Sequence, residues 1–342
     1  MKKGIALVLG VLMSIMLLST PAMAANEEIT GSIMIYTSIY QDVLDMMVEA
    51  LKEEFPNLTV ETFYGGTGTI QTKLAAEMES GNIMCDMLLV AEPAYSLELK
   101  ELGYLHSYVT DRAEDLRFDH DEEGYWYPVR VCNMVLAYNP EMYDAEDLPD
   151  SFYDFAHDES VKGSISMSNP LTSGTAMAAV AALSDLYGFE YFEALGAQEV
   201  MVESGSVALT KLQTGECMQI MILEESVLKL REEEDSELAV IYPTDGVILI
   251  PSTSMIIAEE FAPNQNIEAC EAVTDWLLSD AGQDFILSGW MHSVLATVED
   301  VPYDSVDTNA LIAIDIGIDW ERCYKERAVI RQAFEESVSL SN

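Results

Sequence analysis

Positive charge is scarce in this chain. It carries 16 lysines and arginines against 60 aspartates and glutamates, a net charge of −44. Such a surface repels phosphate backbones and anionic headgroups, which argues against nucleic-acid partners and electrostatic membrane attachment. An anionic small ligand would need a locally positive site, made from backbone N–H groups or from the few basic side chains. Histidine is rarer still: His106, His120, His157 and His292 are scattered without metal-ligand spacing. The cysteines (Cys85, Cys132, Cys217, Cys270 and Cys323) are odd in number and widely spaced. They form no CxxC or Cys/His cluster of the kind that holds zinc, so no metal site is expected, and buried free thiols are the expectation for most of them. No GxSxG, HExxH, Walker or Cys/His nucleophile pattern occurs. Nothing therefore marks an enzyme, and no cofactor is implied. The 19 methionines are spread through apolar segments and read as core filling. The acidic stretch Asp119 to Gly124 invites a calcium reading, but loop position twelve, which must be a bidentate acid in an EF-hand, falls on Arg130. An exposed acidic loop over 111–124 is the expectation instead.

Long apolar runs are also missing, apart from one at the start. Met1-Lys2-Lys3 is followed by an apolar run from Ile5 to Leu18 and then by Ala22-Met23-Ala24. A basic start, a short apolar core and an Ala-x-Ala end are the parts of a secretory signal peptide, expected to span 1–24 with the cut after Ala24. The run is shorter than the roughly 20 residues that a spanning helix needs. No cysteine stands near the cut to carry a lipid. These features predict a soluble periplasmic protein whose net charge becomes −46 once the two lysines of the leader are gone. The remaining length suits about two domains.

Along the chain, strand and helix patterns alternate. Gly31 to Ser38 alternates and is rich in β-formers. Tyr40 to Phe55 has its apolar residues at helical spacing, and Pro56 ends it. Leu58 to Phe63 reads as a strand, Gly65 to Thr69 as a glycine-rich turn, and Ile70 to Glu79 as a helix. Asp86 to Val90 is a continuous apolar strand of the buried, parallel kind. Trp126 to Tyr138 is a long β-rich run, a candidate crossover between lobes. Further strands are expected at 164–168, 200–202, 219–223, 238–242 and 247–257. Helices are expected at 97–102, 176–186, 207–213 and 225–233. This is the grammar of an α/β fold, with no tandem repeat and no low-complexity linker.

Several segments carry a family likeness. IYTSIYQDVLDMMVEALKEEFPNLTVE followed by GGTGTIQTKLAAE resembles the opening of ferric-iron-type extracellular solute-binding proteins. NPLTSGTA resembles that family's P-x-x-S-G-T segment. Tyr242-Pro243 before Gly246 resembles its Y-P-x-x-G element, and EACEAVTDWLLSDAGQDFI its late helix. The likeness runs from about residue 31 to 290. It implies a type II periplasmic binding protein fold, with two α/β lobes closing on a ligand in the cleft between them. Lobe 1 is expected over 31–130 plus 252–300, and lobe 2 over 131–251 plus 301–342. The resemblance also implies a monomer that delivers its ligand to the permease of an ABC importer. Iron-binding members usually carry a tyrosine pair after the strand corresponding to Gln219–Leu223. Here that window reads MILEESVLKL, with Glu224 and Glu225 in place of phenols. Phenolate oxygen suits ferric iron, so the departure points toward a phosphorylated or phosphonate-like solute, with ferric iron as the alternative.

Three turns lie where open α/β sheets bind ligands, at strand ends leading into helices. They are Thr37-Ser38, Gly66-Thr67-Gly68-Thr69 and Ser173-Gly174-Thr175. Each offers hydroxyls and N–H groups at a helix start, which cradle anions without lysine or arginine. The same residues also serve as ordinary helix caps. Glu224 and Glu225, which start a helix, and Asp245, in a turn before a crossover strand, would accept hydrogen bonds from a ligand. Arg130, in the other crossover, would pair with an anion bidentately or form an ion pair with the abundant acids.

Overall fold

The computed structural model describes residues 26–262 and 264–338. The expected signal peptide lies outside the described residues. Among the described residues, no helix is long and apolar enough to cross a membrane.

The strands are β1 (Thr30–Thr37), β2 (Asn57–Tyr64), β3 (Met87–Ala91), β4 (Tyr127–Tyr138), β5 (Ile165–Ser168), β6 (Met201–Glu203), β7 (Gln219–Leu223), β8 (Ala239–Ile241) and β9 (Ile248–Ile256). They run in the order β2-β1-β3-β9-β4-β7-β5-β6, with β8 also on β4. In one half, β1 pairs in parallel with β2 and β3. In the other, β5 pairs in parallel with β6 and β7. Parallel neighbours need crossover helices, and these are the helical patterns read between the strands.

β4 and β9 join the halves. They pair antiparallel over residues 127–134 of β4, after which β4 continues to β7 and β8 while the far end of β9 pairs with β3. Eleven of the twelve residues of β4 are buried, in keeping with the mostly apolar run YPVRVCNMVLAY, which only Arg130 and Asn133 interrupt. Pro128 lacks an N–H, and proline within a central strand is confined to bulges. The register of β4 against β9 slips between Pro128 and Arg130.

Each half has its own apolar core. Helix Gln41–Glu54 buries Val43, Leu44, Met47 and Leu51 in the cluster that holds Ile33, Ile35 and Leu89. In the other half, helix Gly174–Tyr187, alanine-rich and nearly all buried, packs with Phe152, Phe155 and Phe192. The small side chains let surrounding elements approach the helix from all sides.

The structure departs from expectation in several places. The helix after the glycine-rich turn starts at Thr67, because Gly66 takes the N-cap position. The late helix is two, Ile267–Leu277 and Asp280–Ser288, since Ser279 accepts from the N–H of Gly282 and begins a new one. The acidic segment 111–124 is not wholly solvated. Asp121 is buried, accepting from the N–H groups of Glu123 and Tyr125 and from Lys100 Nζ at 2.6 Å. Helices Trp320–Lys325 and Arg327–Ser337 had no sequence assignment. Arg327 reaches Glu98 in the first half, while Ile330 and Phe334 sit in the core of the second. All five cysteines are buried and unpaired.

Candidate functional site

Between the halves lies a cavity of about 360 Å³. Helix N-termini converge on it from both sides. Gly66 and Thr67 begin helix Thr67–Ser80, Ser173 caps Gly174–Tyr187, Ser204 caps Gly205–Thr214, and Leu223 precedes Glu224–Glu234. The first N–H groups of a helix have no intrahelical acceptor, and each N-terminus carries roughly +0.5 of a charge. The side-chain oxygens of Ser173 and Ser204 accept from Ala176 N and Val207 N. They hold these turns in place, and the N–H of Ser173 itself donates to Asn169 O at 2.9 Å.

The turns anticipated from sequence divide on inspection. Ser38, Gly66, Thr67, Thr69, Ser173, Gly174 and Thr175 all line the cavity. Thr37 does not. It is fully buried, donates to the Leu89 carbonyl at 2.9 Å and accepts from Ile39 N at 3.1 Å, fixing the end of β1. Gly68 faces away, and its N–H donates to the Thr172 carbonyl at 3.2 Å. The halves meet closely along that seam. A Cβ on Gly66 would lie 2.6 Å from Thr172 O, and one on Gly174 would lie 2.6 Å from Thr67 Oγ1. Only glycine permits this approach.

The two adjacent glutamates have different fates. Glu225 lines the cavity, and its Oε1 is buried without a partner. Burial pushes its pKa up to about 7, against the opposing pull of the Arg130 guanidinium. Glu224 is turned into the protein, correcting the expectation that it meets a ligand. Its carboxylate accepts from Asn133 Nδ2 at 2.8 Å, Tyr242 OH at 2.5 Å and Ser305 Oγ at 2.5 Å, and lies 3.1 Å from His292 Nε2. Burial opposes its charge, but the His292, Ser305 and Tyr242 contacts prevail and hold its pKa below the usual carboxylate value. Asp245 is likewise a structural group. Its carboxylate caps helix Phe152–His157 through the N–H groups of Phe152 and Tyr153, and it accepts from Tyr187 OH at 2.7 Å.

Arg130 lines the cavity and is only 4% exposed. Its Nη1 contacts two sulfurs, Cys132 Sγ at 3.2 Å and Met291 Sδ at 2.8 Å, and its Nε is buried without a partner. The bulge beside it leaves Val129 in the apolar core and Arg130 facing the cavity, the re-aiming that bulges provide. Of the fourteen lysines and arginines among the described residues, eleven have a carboxylate oxygen within 4.0 Å. Arg130 is one of the three that do not.

Sequence reasoning missed other lining groups. Ser204-Gly205-Ser206 repeats the Ser-Gly-Ser/Thr pattern of residues 173–175 at the next strand-to-helix turn, a legible signal. Tyr40 and Tyr64 bring phenols from the first half. Tyr40 is 38% exposed as a whole, but desolvation of its hydroxyl in the cleft, and the charge of Glu225, push its pKa up, and that hydroxyl meets Ser226 Oγ at 3.1 Å across the cleft. Glu203 also lines the cavity but is neutralised by Lys211 at 2.8 Å. Among the described residues, no three His, Cys, Asp or Glu side chains are grouped to hold a metal ion.

A family model described as bacterial extracellular solute-binding protein matches residues 46–302. The chain belongs to that family. It is thus a solute-binding component of an ABC transporter, a transport family and not an enzyme family. Solved structures share its two-lobed type II periplasmic binding protein fold, with the cleft between lobes. AfuA from Actinobacillus pleuropneumoniae, with exogenous fructose-6-phosphate bound, has a TM-score of 0.78 at 20% identity, covering 91% of this chain and 99% of that one. Iron-bound HitA from Pseudomonas aeruginosa has a TM-score of 0.77 at 19% identity, covering 88% and 99%. The periplasmic binding protein P5PA has a TM-score of 0.75 at 19% identity, covering 90% and 100%. No curated protein matches the chain. At these identities the likeness establishes the solute-binding protein's fold and leaves its ligand to be argued from the cavity.

Proposed function

We propose that this protein is the periplasmic solute-binding component of an ABC importer for a small anion carrying a phosphoryl or phosphonyl group. The lobes are 31–130 plus 252–300 and 131–251 plus 301–342, and the leader 1–24 is removed on export. The reading rests above all on Arg130, a buried guanidinium without an ion pair in a chain with 60 acidic residues. A buried charge is tolerated where something compensates it, and four helix N-termini around the same cavity add positive potential where one would expect a cation to be avoided. The array suits an anion that contacts Arg130, Thr67, Ser173, Thr175 and the 204–206 turn at once. Because those groups belong to both lobes, such a ligand favours the closed arrangement by its differential affinity for it. Binding involves no chemical step. Fructose-6-phosphate in AfuA is a ligand of this class on the same fold.

A second reading is ferric iron, the ligand of HitA. It draws on the phenols of Tyr40 and Tyr64 and the carboxylate of Glu225 in one cavity, with Arg130 holding a companion anion. The absence of a tyrosine pair after Gln219–Leu223, where Glu224 and Glu225 stand instead, counts against it, since phenolate oxygen suits ferric iron.

Native mass spectrometry of the purified protein, followed by denaturation and identification of what is released, separates the two. A phosphorylated or phosphonate molecule supports the anion reading, and a single iron overturns it. For an empty protein, titration decides. The phosphate-bearing ligand found by a thermal-shift panel should bind Arg130→Gln at least tenfold more weakly, since each charge-assisted hydrogen bond contributes about 1.5–3 kcal/mol. Unchanged affinity would remove Arg130 from the site.

A further inference from the structure

A second arginine without an ion pair lies outside the interlobe cavity. Of the three cationic side chains without a carboxylate within 4.0 Å among the described residues, Arg117 is satisfied by carbonyls, with Nε donating to Leu295 O at 2.9 Å. Arg130 faces the first cavity. The third is Arg331, one turn after Arg327 on helix Arg327–Ser337, so the two share a face. Arg327 is ion-paired through both terminal nitrogens, donating to Glu98 Oε2 at 2.6 Å and to Glu92 Oε1 at 3.1 Å, while its Nε is buried without a partner. Arg331 is half-buried, and its Nε is buried with no partner. Burial, and then the neighbouring charge of Arg327, push its pKa below the ordinary arginine value.

Both arginines line a second cavity of about 620 Å³. The seam where Gly68 N–H meets Thr172 O separates it from the first, for Gly66 and Thr67 line one cavity and Gly68 the other. About half of the exposed wall is apolar, with Met78, Tyr95, Leu99, Leu102 and Tyr104 contributing, and Gln71 and Thr72 add polar atoms. Glu79 and Glu98 also lie on it.

We propose that this second cavity is a ligand site in its own right, taking a small monocarboxylate with an apolar or aromatic body, its carboxylate on the guanidinium of Arg331. One free guanidinium matches one carboxylate bidentately. The charge of Arg327 is taken up by Glu98 and Glu92, and Glu79 on the wall repels a second negative charge, so a phosphate dianion is disfavoured. The apolar part of the wall takes the body of the ligand out of water.

The test is isothermal titration of benzoate and of hexanoate into the purified full-length protein at constant ionic strength, with benzyl alcohol as the uncharged control. The result expected is one saturable site for a carboxylate and none for the alcohol. Affinity should fall at least tenfold in Arg331→Gln and, independently, in Leu102→Glu. Leu102 is 53% exposed, so that change adds a repelling charge to the wall without disturbing a core. Arg130→Gln should bind benzoate as the wild type does. The proposal is overturned by absence of saturable carboxylate binding, by equal binding of the alcohol, or by affinity indifferent to both wall substitutions. Loss of binding in Arg130→Gln would also overturn it by placing the carboxylate in the first cavity. The two sites therefore stand or fall separately.

Discussion

Glu225 makes the anion reading quantitative. Its carboxyl sits in the wall of the interlobe cavity with one oxygen unpartnered, and burial raises its pKa to about 7. An anion beside it is repelled by the carboxylate and accepted by the neutral acid, which can donate a hydrogen bond. If binding requires the neutral form, apparent affinity follows the protonated fraction. Between about pH 6 and pH 8 that fraction falls about tenfold, equivalent to about 1.4 kcal/mol. Sulfate is a suitable probe because its charge does not change in this range. Isothermal titration should show sulfate affinity falling about tenfold across the interval. In Glu225→Gln, which imitates the neutral acid, affinity should stay near the wild type's low-pH value throughout. A ligand-free reading accompanies it. The folded pKa lies above the unfolded one, so the folded state binds more protons and stability falls as pH rises from about 4.5 to about 7. The shift corresponds to about 3 kcal/mol for this buried group. The stability of Glu225→Gln relative to wild type, from urea melts, should therefore rise by about that amount across the window. A sulfate affinity independent of pH in the wild type, or the same slope in the variant, would refute the reasoning.

Two further outcomes follow from the seam and the buried network. Gly174→Ala should hinder closure, because its Cβ would lie 2.6 Å from Thr67 Oγ1 in the opposite lobe. Ligand affinity should fall at least tenfold while the melting temperature of the ligand-free protein changes little, and small-angle scattering with saturating ligand should show a larger radius of gyration than the wild type. A wild-type radius would show that Thr67 moves aside. Glu224→Ala removes the acceptor shared by Asn133, Tyr242, Ser305 and His292. Leaving such a set unpartnered costs about 3–5 kcal/mol, to be read from urea melts. A loss below about 1 kcal/mol would mean that the network is not structural.

The strand–turn–helix grammar was legible because it is local. Periods of two and of about 3.6 residues placed β1, β7 and most helices within a few positions, and the turns at strand ends gave much of the cavity wall. Non-local satisfaction was not legible. Glu224 and Glu225 are chemically identical and adjacent at one helix start, yet a step of 100° around the helix aims one at the cavity and the other at Asn133 and His292, 91 and 68 residues away. Asp245 belongs to the helix at 152–157, about ninety residues earlier, whose N–H groups it caps. The position of Arg130 depends on a register slip at Pro128, which appears only when β4 is paired with β9.

Scarcity of positive charge is a property of composition, but commitment of charge is a property of structure. Sixteen basic residues against 60 acids lead one to expect every guanidinium to be claimed by a carboxylate. That expectation holds for Arg112, Arg231, Arg322 and Arg327, and it makes the exceptions informative. An arginine left unpaired on the surface would gather a carboxylate at little cost in an acidic protein, because exposed pairs form and break within about 1 kcal/mol. Arg130 is instead buried against the sulfurs of Cys132 and Met291, and burial pushes the pKa of the neighbouring Glu225 up to about 7. On the proposed reading, the cavity that Arg130 lines takes a ligand that brings a negative group of its own. On that reading, a structure that keeps a buried cation unpaired among 60 acids selects for an anionic group before the shape of the ligand's remainder matters.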